Sequence, residues 1–163
     1  MVNVLGLQDT VGVTILQDDP IKASRGGWVF ANKADSKFNV VDLRELYEVL
    51  SPDYQGRCTA PFLVDLKAKQ IVSNESSDIV RMLPLLSQAS NKQSSIDLCP
   101  PDFTTQINTS DEWIYKLLNN GVYRCGCSTT YVAYDRAWAD VREGIAKWQS
   151  ILERQPFING DSF

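Results

Sequence analysis

The sequence contains no histidine among its 163 residues. Ser-His-Asp catalysis, Cys-His catalysis and histidine-ligated metals are therefore excluded within this chain. No segment approaches the roughly 20 apolar residues of a membrane span, and no basic, cleavable leader follows Met1. Positive charge is also scarce, with 16 basic against 20 acidic residues and a net charge of -4. We expect neither a membrane nor a nucleic acid as a partner.

Cysteine is sparse as well, which argues against a disulfide scaffold and favours a reducing compartment. We expect a cytoplasmic location, with an organelle as the alternative. A zinc site made of four thiolates is conceivable, but the Cys-x-Cys spacing at the third and fourth cysteines is not the usual ligand spacing. We expect four unlinked thiols and no metal. The cysteines are Cys58, Cys99, Cys125 and Cys127.

The residues that are present have the composition of a globular protein, 44% hydrophobic and 22% charged. Apolar periodicity and turn residues predict an α/β order in the first half of the chain. Residues 2–7 are typical of the tail of a helix, and the long polar loop at 17–40 suggests a functional role. The predicted elements are a buried strand at 11–16, a helix at 42–50 with a capping box, strands at 59–65 and 69–73 forming a hairpin, and a helix from 74 in which Pro84 should cause a kink or an early end.

The second half is predicted to be all helical. One helix should end at 119–121, where Asn-Asn-Gly is a typical stop signal. A last helix carries an apolar stripe with alternating spacing of three and four, which we interpret as core. The stripe consists of Tyr131, Tyr134, Trp138, Val141, Ile145, Trp148 and Leu152. The predicted domains are 1–88 and 103–163, joined by a linker at 89–102.

Two short motifs point to a binding site. Ala60-Pro61 opens a predicted strand, and a cis bond there would leave the backbone of Ala60 facing outward to pair with an extended peptide. Glu75-Ser76 lies at a predicted helix N-terminus, where a hydroxyl suits a carboxylate and a glutamate suits an ammonium group. Together they match a peptide with a free amino-acid end, such as glutathione. The alternatives are an ordinary edge strand and an ordinary helix cap.

Longer runs of sequence resemble one family. Residues 57–65 have the sequence Arg-Cys-Thr-Ala-Pro-Phe-Leu-Val-Asp, and residues 70–83 contain Ser-Asn-Glu-Ser-Ser. Residues 119–124 are Asn-Asn-Gly-Val-Tyr-Arg. These runs, with 43–47 and 53–57, resemble the xi-class glutathione transferases, the glutathionyl-hydroquinone reductases. The resemblance extends from about residue 4 to residue 161.

The resemblance implies a thioredoxin-like α/β part followed by an all-α part of the glutathione transferase C-terminal type. It implies an enzyme that removes glutathione from glutathionyl-hydroquinones, with glutathione and quinone-type small molecules as partners, and it allows a homodimer. Carried over to this sequence, Ala60 with Pro61 would pair with the glutathione backbone, and Glu75 and Ser76 would hold its γ-glutamyl end. Three further residues would take part: Trp28 as a cover, Arg57 as a counter-charge and Tyr123 in the aromatic substrate pocket, where a packed helix-end aromatic is the alternative.

The family's catalytic cysteine lies in a Cys-Pro-Trp-Ala type motif, and the sequence contains no such motif. We therefore expect the chain to lack the catalytic cysteine, with Cys58 as the alternative nucleophile. The comparison of motifs predicts a chain truncated at both ends, without the first strand of the thioredoxin-like sheet and with low stability on its own. A non-catalytic module that binds glutathione or another protein is the alternative function.

Overall fold

The computed structural model describes residues 1–19, 21, 27–90 and 98–161. The chain divides into two compact units, Met1–Ile96 and Asp97–Phe163. The first unit mixes strands and helices and the second is helical, in the order predicted from the sequence. The limits at 88 and 103 stay predictions, and half of the predicted linker, residues 91–97, lies outside the described residues.

Short elements build the first unit. Its two sheets each contain two antiparallel strands, β1 with β2 and β3 with β4. A 3-10 turn at Lys33–Ser36 leads towards α1, and α2 follows the second sheet. The elements are β1 (Gln17–Asp18), β2 (Trp28–Val29), α1 (Leu43–Leu50), β3 (Leu63–Asp65), β4 (Gln70–Ser73) and α2 (Ser76–Ala89).

Helix α1 begins where the capping pattern predicts. The Asp42 carboxylate accepts a hydrogen bond from the Glu45 N–H at 2.8 Å, and the Glu45 carboxylate accepts one from the Val41 N–H at 2.8 Å. The second bond reaches one residue further back than in the usual capping box. The apolar face of α1 forms the core of this unit. Its buried members are Phe30, Val40, Leu43, Leu46 and Tyr47.

The strand predicted at 11–16 is wrong. Residues 12–16 form no regular element, and pairing begins only at β1. Val13 and Ile15 are 70% and 83% exposed. β-Branched residues favour strands mainly because they pack on a sheet, and the described residues supply no strand beside this segment. The pattern therefore identified residues suited to a strand but not the neighbour that a strand requires.

Helix α2 is longer than Pro84 predicts. The helix continues five residues past this proline to Ala89, and Leu83, Pro84 and Ser87 are buried. Leu86 is exposed. The Ser87 hydroxyl donates to the Leu5 carbonyl at 2.8 Å, which fastens the N-terminal turn to α2. Residues 2–6 form turns and not the helix tail predicted at 2–7, and Gly6 has a φ of 66°.

The second unit contains α3 (Thr104–Ile114), a π-helical turn (Tyr115–Asn119), α4 (Asn120–Gly126) and α5 (Tyr131–Leu152). The predicted stop at 119–121 is therefore wrong, because the helical path continues to Gly126. Gly121 is buried, and a Cβ there would lie 2.9 Å from Val141 Cγ2. A Cβ on Gly144 would lie 2.7 Å from Leu118 Cδ2. Both glycines serve the close approach of helices, so Gly121 is not a terminator.

The expectation that the apolar stripe of α5 belongs to the core is wrong for most of its residues. Within its own unit α5 buries the small residues Ala137, Val141 and Gly144. The other stripe residues are exposed, because the close approach at the glycines brings the neighbouring helices to the small-residue side. They are Tyr131, Tyr134, Trp138, Ile145, Trp148 and Leu152. No helix among the described residues is long and apolar enough to cross a membrane.

Candidate functional site

The β3–β4 hairpin brings the two predicted motifs to one end of a sheet. The strands are antiparallel with Leu63 opposite Ser73, so residues just before Leu63 and just after Ser73 lie at the same end. Ala60-Pro61 precedes Leu63 and Glu75-Ser76 follows Ser73. Lys67 and Ala68 close the hairpin by donating their N–H groups to the Asp65 carboxylate, each at 2.8 Å.

The segment that enters β3 is irregular. The peptide bond between Ala60 and Pro61 is cis, as the sequence analysis anticipated. The strand predicted from residue 59 begins only at Leu63, in keeping with the missing N–H of proline. Ala60 is exposed, and no hydrogen bond within the described part of the chain uses its N–H or carbonyl. These backbone groups can therefore pair with an extended ligand.

Asn74 connects the two motifs directly. Its side-chain amide donates to the Thr59 hydroxyl oxygen at 3.2 Å and to the Arg57 carbonyl at 3.4 Å. Thr59 is the neighbour of Ala60, and Asn74 is the neighbour of Glu75. Because adjacent Cα atoms lie 3.8 Å apart, these bonds hold the two motifs within reach of one small peptide.

Tyr47 supports the same segment from the core. Its hydroxyl donates to the Thr59 carbonyl at 3.1 Å, and its ring stacks on Phe62 with centroids 4.2 Å apart. The Tyr54 ring is tilted by 40° against the Tyr47 ring, with centroids 4.8 Å apart. The Tyr47 side chain is fully buried, and burial raises the pKa of its phenol above the usual value of 10.0.

Glu75 and Ser76 begin α2, but Glu75 does not act as a side-chain cap. It occupies the N-cap position, and its side chain makes no capping hydrogen bond. Ser76 is the first helical residue. Both are exposed, and neither side chain has a hydrogen bond or an ion pair within the described residues. A carboxylate and a hydroxyl thus stand beside a helix N-terminus, whose free N–H groups favour an anion.

The remaining predicted residues are less closely linked to this centre. Trp28 lies on β2 and is 43% exposed, and no hydrogen bond or ring contact among the described residues joins it to either motif. The Arg57 side chain is exposed, while its carbonyl accepts from Tyr54 and Asn74. Cys58 packs against the core cluster of α1. Tyr123 lies on α4 of the second unit and is exposed.

The cysteines form no evident chemical centre in the structure. None of the four is in a disulfide, three are half-buried and Cys127 is exposed. Within the described ranges, no group of three or more His, Cys, Asp or Glu side chains is placed to hold a metal ion. Within the described residues, the candidate site therefore consists of backbone groups, a carboxylate and a hydroxyl, which are polar groups suited to a polar ligand.

Known proteins are similar to this chain in both sequence and fold. Glutathionyl-hydroquinone reductase YqjG of Escherichia coli K12 is 35% identical over 161 residues, or 96% of this chain and 48% of that protein. The glutathione-bound structure of YqjG matches 99% of the chain and 53% of its own length, with a TM-score of 0.87. Glutathione transferase Xi 1 of Trametes versicolor matches 99% of the chain and 57% of its own, with 33% identity and a TM-score of 0.88.

The chain belongs to the xi-class glutathione transferase family. No protein-family model matches the sequence. The chain spans about half the length of the curated relatives that it matches. Its fold is accordingly that of the xi-class proteins, a thioredoxin-like part followed by helices of the glutathione transferase type.

Two residues of this candidate site are not among those that the sequence motifs predict. They are Tyr47, which lies on α1, and Asn74, which lies directly before the N-cap of α2. A signal for Tyr47 was present, because a buried tyrosine hydroxyl normally requires a hydrogen-bond partner. For Asn74 the sequence offered its position directly before Glu75 but no indication that its side chain would reach Thr59.

Proposed function

We propose that this chain contributes the glutathione-binding part of a glutathione-dependent thiol transferase that reduces glutathionyl-hydroquinones. The observation that carries the proposal is the hairpin end, which holds both Ala60 and the Glu75-Ser76 pair. Among the described residues, the Ala60 backbone and the Glu75 and Ser76 side chains have no hydrogen-bond partner. Membership of the xi class supports glutathione as the ligand, since YqjG and a yeast xi-class protein have structures with glutathione bound.

The site has a complementary group for each part of the tripeptide. The Glu75 carboxylate pairs with the ammonium of the γ-glutamyl end, and Ser76 with the N–H groups of α2 binds its carboxylate. The N–H and carbonyl of Ala60 bond to the extended cysteinyl unit as an added strand. Trp28 covers the ligand and Arg57 supplies a further positive charge. The family resemblance and the positions of these residues in the structure support the assignments.

The reaction requires a thiolate. In the proposed chemistry, an enzyme thiolate attacks the sulfur of the glutathionyl-hydroquinone, the hydroquinone leaves with a proton, and an enzyme–glutathione disulfide remains. A second glutathione thiolate then attacks that disulfide, so oxidised glutathione leaves and the enzyme thiol is restored. None of the four cysteines lies in a Cys-Pro-Trp-Ala motif. The packing of Cys58 against the core disfavours it as a substitute.

We therefore expect the 163-residue chain to bind glutathione without turnover, as a non-catalytic module would. Tyr123 stays a proposed contact of the aromatic substrate, and a homodimer and a cytoplasmic location stay part of the same proposal. Sustained reduction of a glutathionyl-hydroquinone by this chain would contradict the absence of a nucleophile. Replacing each cysteine by serine would then identify the thiol.

Calorimetric titration with glutathione tests binding. Glu75→Gln should weaken affinity about tenfold or more, because a charge-assisted hydrogen bond contributes about 1.5–3 kcal/mol. Asp78→Asn is the matched control, since it removes another acidic charge from the first turn of α2. The control should stay within about twofold of wild type. A folded chain that binds no glutathione at millimolar concentration would overturn the proposal, as would equal losses in both variants.

A further inference from the structure

We infer that Tyr47 and Asn74 are positioning residues that hold the glutathione-binding backbone in register with Glu75 and Ser76. The inference rests on the proposed function and adds residues that do not themselves touch the ligand. Tyr47 acts from the core, through the Thr59 carbonyl, and Asn74 acts from the start of α2, through the Thr59 hydroxyl. Thr59 is thus fixed by both its backbone and its side chain.

The flanks of Ala60-Pro61 are fixed while the dipeptide itself is free. Before it, the Arg57 carbonyl accepts from the Tyr54 hydroxyl at 3.3 Å and from Asn74 at 3.4 Å. After it, Phe62 stacks on the buried Tyr47 ring at 4.2 Å. The described residues leave the N–H and carbonyl of Ala60 without a hydrogen bond. The backbone that receives the ligand is therefore already ordered, so binding avoids part of the entropic cost of ordering it.

Asn74 gives this arrangement a second effect. Because its amide bonds to the entry segment while its backbone leads directly into Glu75, it fixes the spacing between the two halves of the site. A small peptide that contacts both halves depends on that spacing, and misplacement by about 1 Å can cost much of a binding or catalytic effect. Loss of the Asn74–Thr59 bond should therefore weaken glutathione binding more than it weakens folding.

The Thr59 hydroxyl provides the decisive variant because Thr59 is exposed, so its replacement should fold. Thr59→Val removes the acceptor and keeps the shape, whereas Thr59→Ser keeps the acceptor. We expect Thr59→Val and Asn74→Ala each to weaken glutathione binding about three- to tenfold, and Thr59→Ser to restore affinity. Their double mutant should lose little more than either single variant. Tyr47→Phe, which keeps the ring, should weaken binding by a similar factor.

Thr14→Val is the matched control. Thr14 is also exposed in the first unit, and its hydroxyl donates to the Asp35 carbonyl at 3.2 Å. It should leave glutathione affinity within about twofold. Urea midpoints of Thr59→Val and Thr14→Val should shift equally, which separates positioning from a general loss of stability.

Three results would overturn the inference, and they differ. If wild type binds glutathione and Thr59→Val and Tyr47→Phe both stay within twofold of it, the positioning role is wrong while the proposed function stands. If folded wild type binds no glutathione, the proposed function fails and this inference fails with it. Independent, additive losses in Thr59→Val and Asn74→Ala would also contradict the shared contact.

Discussion

Helices α1 and α5 use apolar residues in opposite ways. The eight residues of α1 bury Leu43, Leu46 and Tyr47. The 22 residues of α5 bury only Ala137, Val141 and Gly144, while the other residues of its apolar stripe are exposed. The longer helix with the longer stripe thus contributes the smaller side chains to a core. The difference shows that periodicity identifies a helix, whereas the neighbouring elements decide which of its residues are buried.

A matched pair of leucines gives the largest expected contrast. Leu46 on α1 is 5% exposed, whereas Leu152 on α5 is 44% exposed. Leu46→Ala should lower the free energy of unfolding by about 2–5 kcal/mol, because it leaves a cavity among packed side chains. Leu152→Ala should cost about 1 kcal/mol or less, since much of its surface already meets water. Urea unfolding measures both, and equal losses would contradict the comparison.

A pair of glycines tests the close packing of α5 against its neighbouring helices. A methyl group at Gly144 would meet Leu118 at 2.7 Å and the Leu117 Cβ at 3.0 Å, whereas nothing lies within 4 Å of one at Gly126. Gly144→Ala should therefore destabilise the chain by about 1–3 kcal/mol through overpacking. Gly126→Ala should be neutral or stabilising by up to about 1 kcal/mol, because alanine favours the helix. The thermal midpoint of each variant tests this, and a stabilised Gly144→Ala would refute the close approach.

The N-caps of the two helices should differ by a smaller amount. Asp42 caps α1 from a buried position at 2.8 Å, and the exposed Thr130 caps α5 at 3.2 Å. Asp42→Ala should cost about 2 kcal/mol and Thr130→Ala about 0.5 kcal/mol, the two ends of the usual range. Urea midpoints compare the variants. A larger loss at Thr130 would show that α5 depends on its start more than on its packing.

Because Tyr47 is buried, we expect a loss of folding stability at high pH that is absent at neutral pH. Burial raises the pKa of its phenol, so above about pH 10 the unfolded chain loses this proton while the folded chain keeps it. Ionisation then favours the unfolded state, and the stability of the folded chain falls as pH rises. Tyr47→Phe lacks this loss, so the stability difference between wild type and the variant should decrease between pH 8 and about pH 11. A difference independent of pH, measured by urea unfolding, would contradict the assignment.

Local signals predicted the elements that depend on nearby residues. Asp42 and Glu45 marked the start of α1, and the turn after Asp65 marked the hairpin. The strand at 11–16 failed because it needs a partner strand, and the helix stop at Gly121 failed because that glycine serves contact with Val141, twenty residues away.

The candidate site also combines residues that local motifs predict with residues that depend on distant contacts. Ala60-Pro61 and Glu75-Ser76 were proposed from short motifs and a family resemblance, and the hairpin places them at one end. The hydrogen bond from Tyr47 to Thr59 joins residues twelve apart, and the one from Asn74 joins residues fifteen apart. No local pattern encodes such pairings, because they depend on how α1 and the hairpin pack in three dimensions.

The π-helical turn at Tyr115–Asn119 sets the rotational phase of α4. An α-helix turns by about 100° per residue, and a π turn includes one extra residue, so α4 is rotated relative to a straight continuation of α3. This offset directs Gly121 towards Val141. A one-residue deletion in the turn would leave the composition of α4 intact but swing Gly121 by about 100° and bring a bulky side chain against α5. The π-helical turn thus sets the rotation of α4 about the helix axis relative to α3.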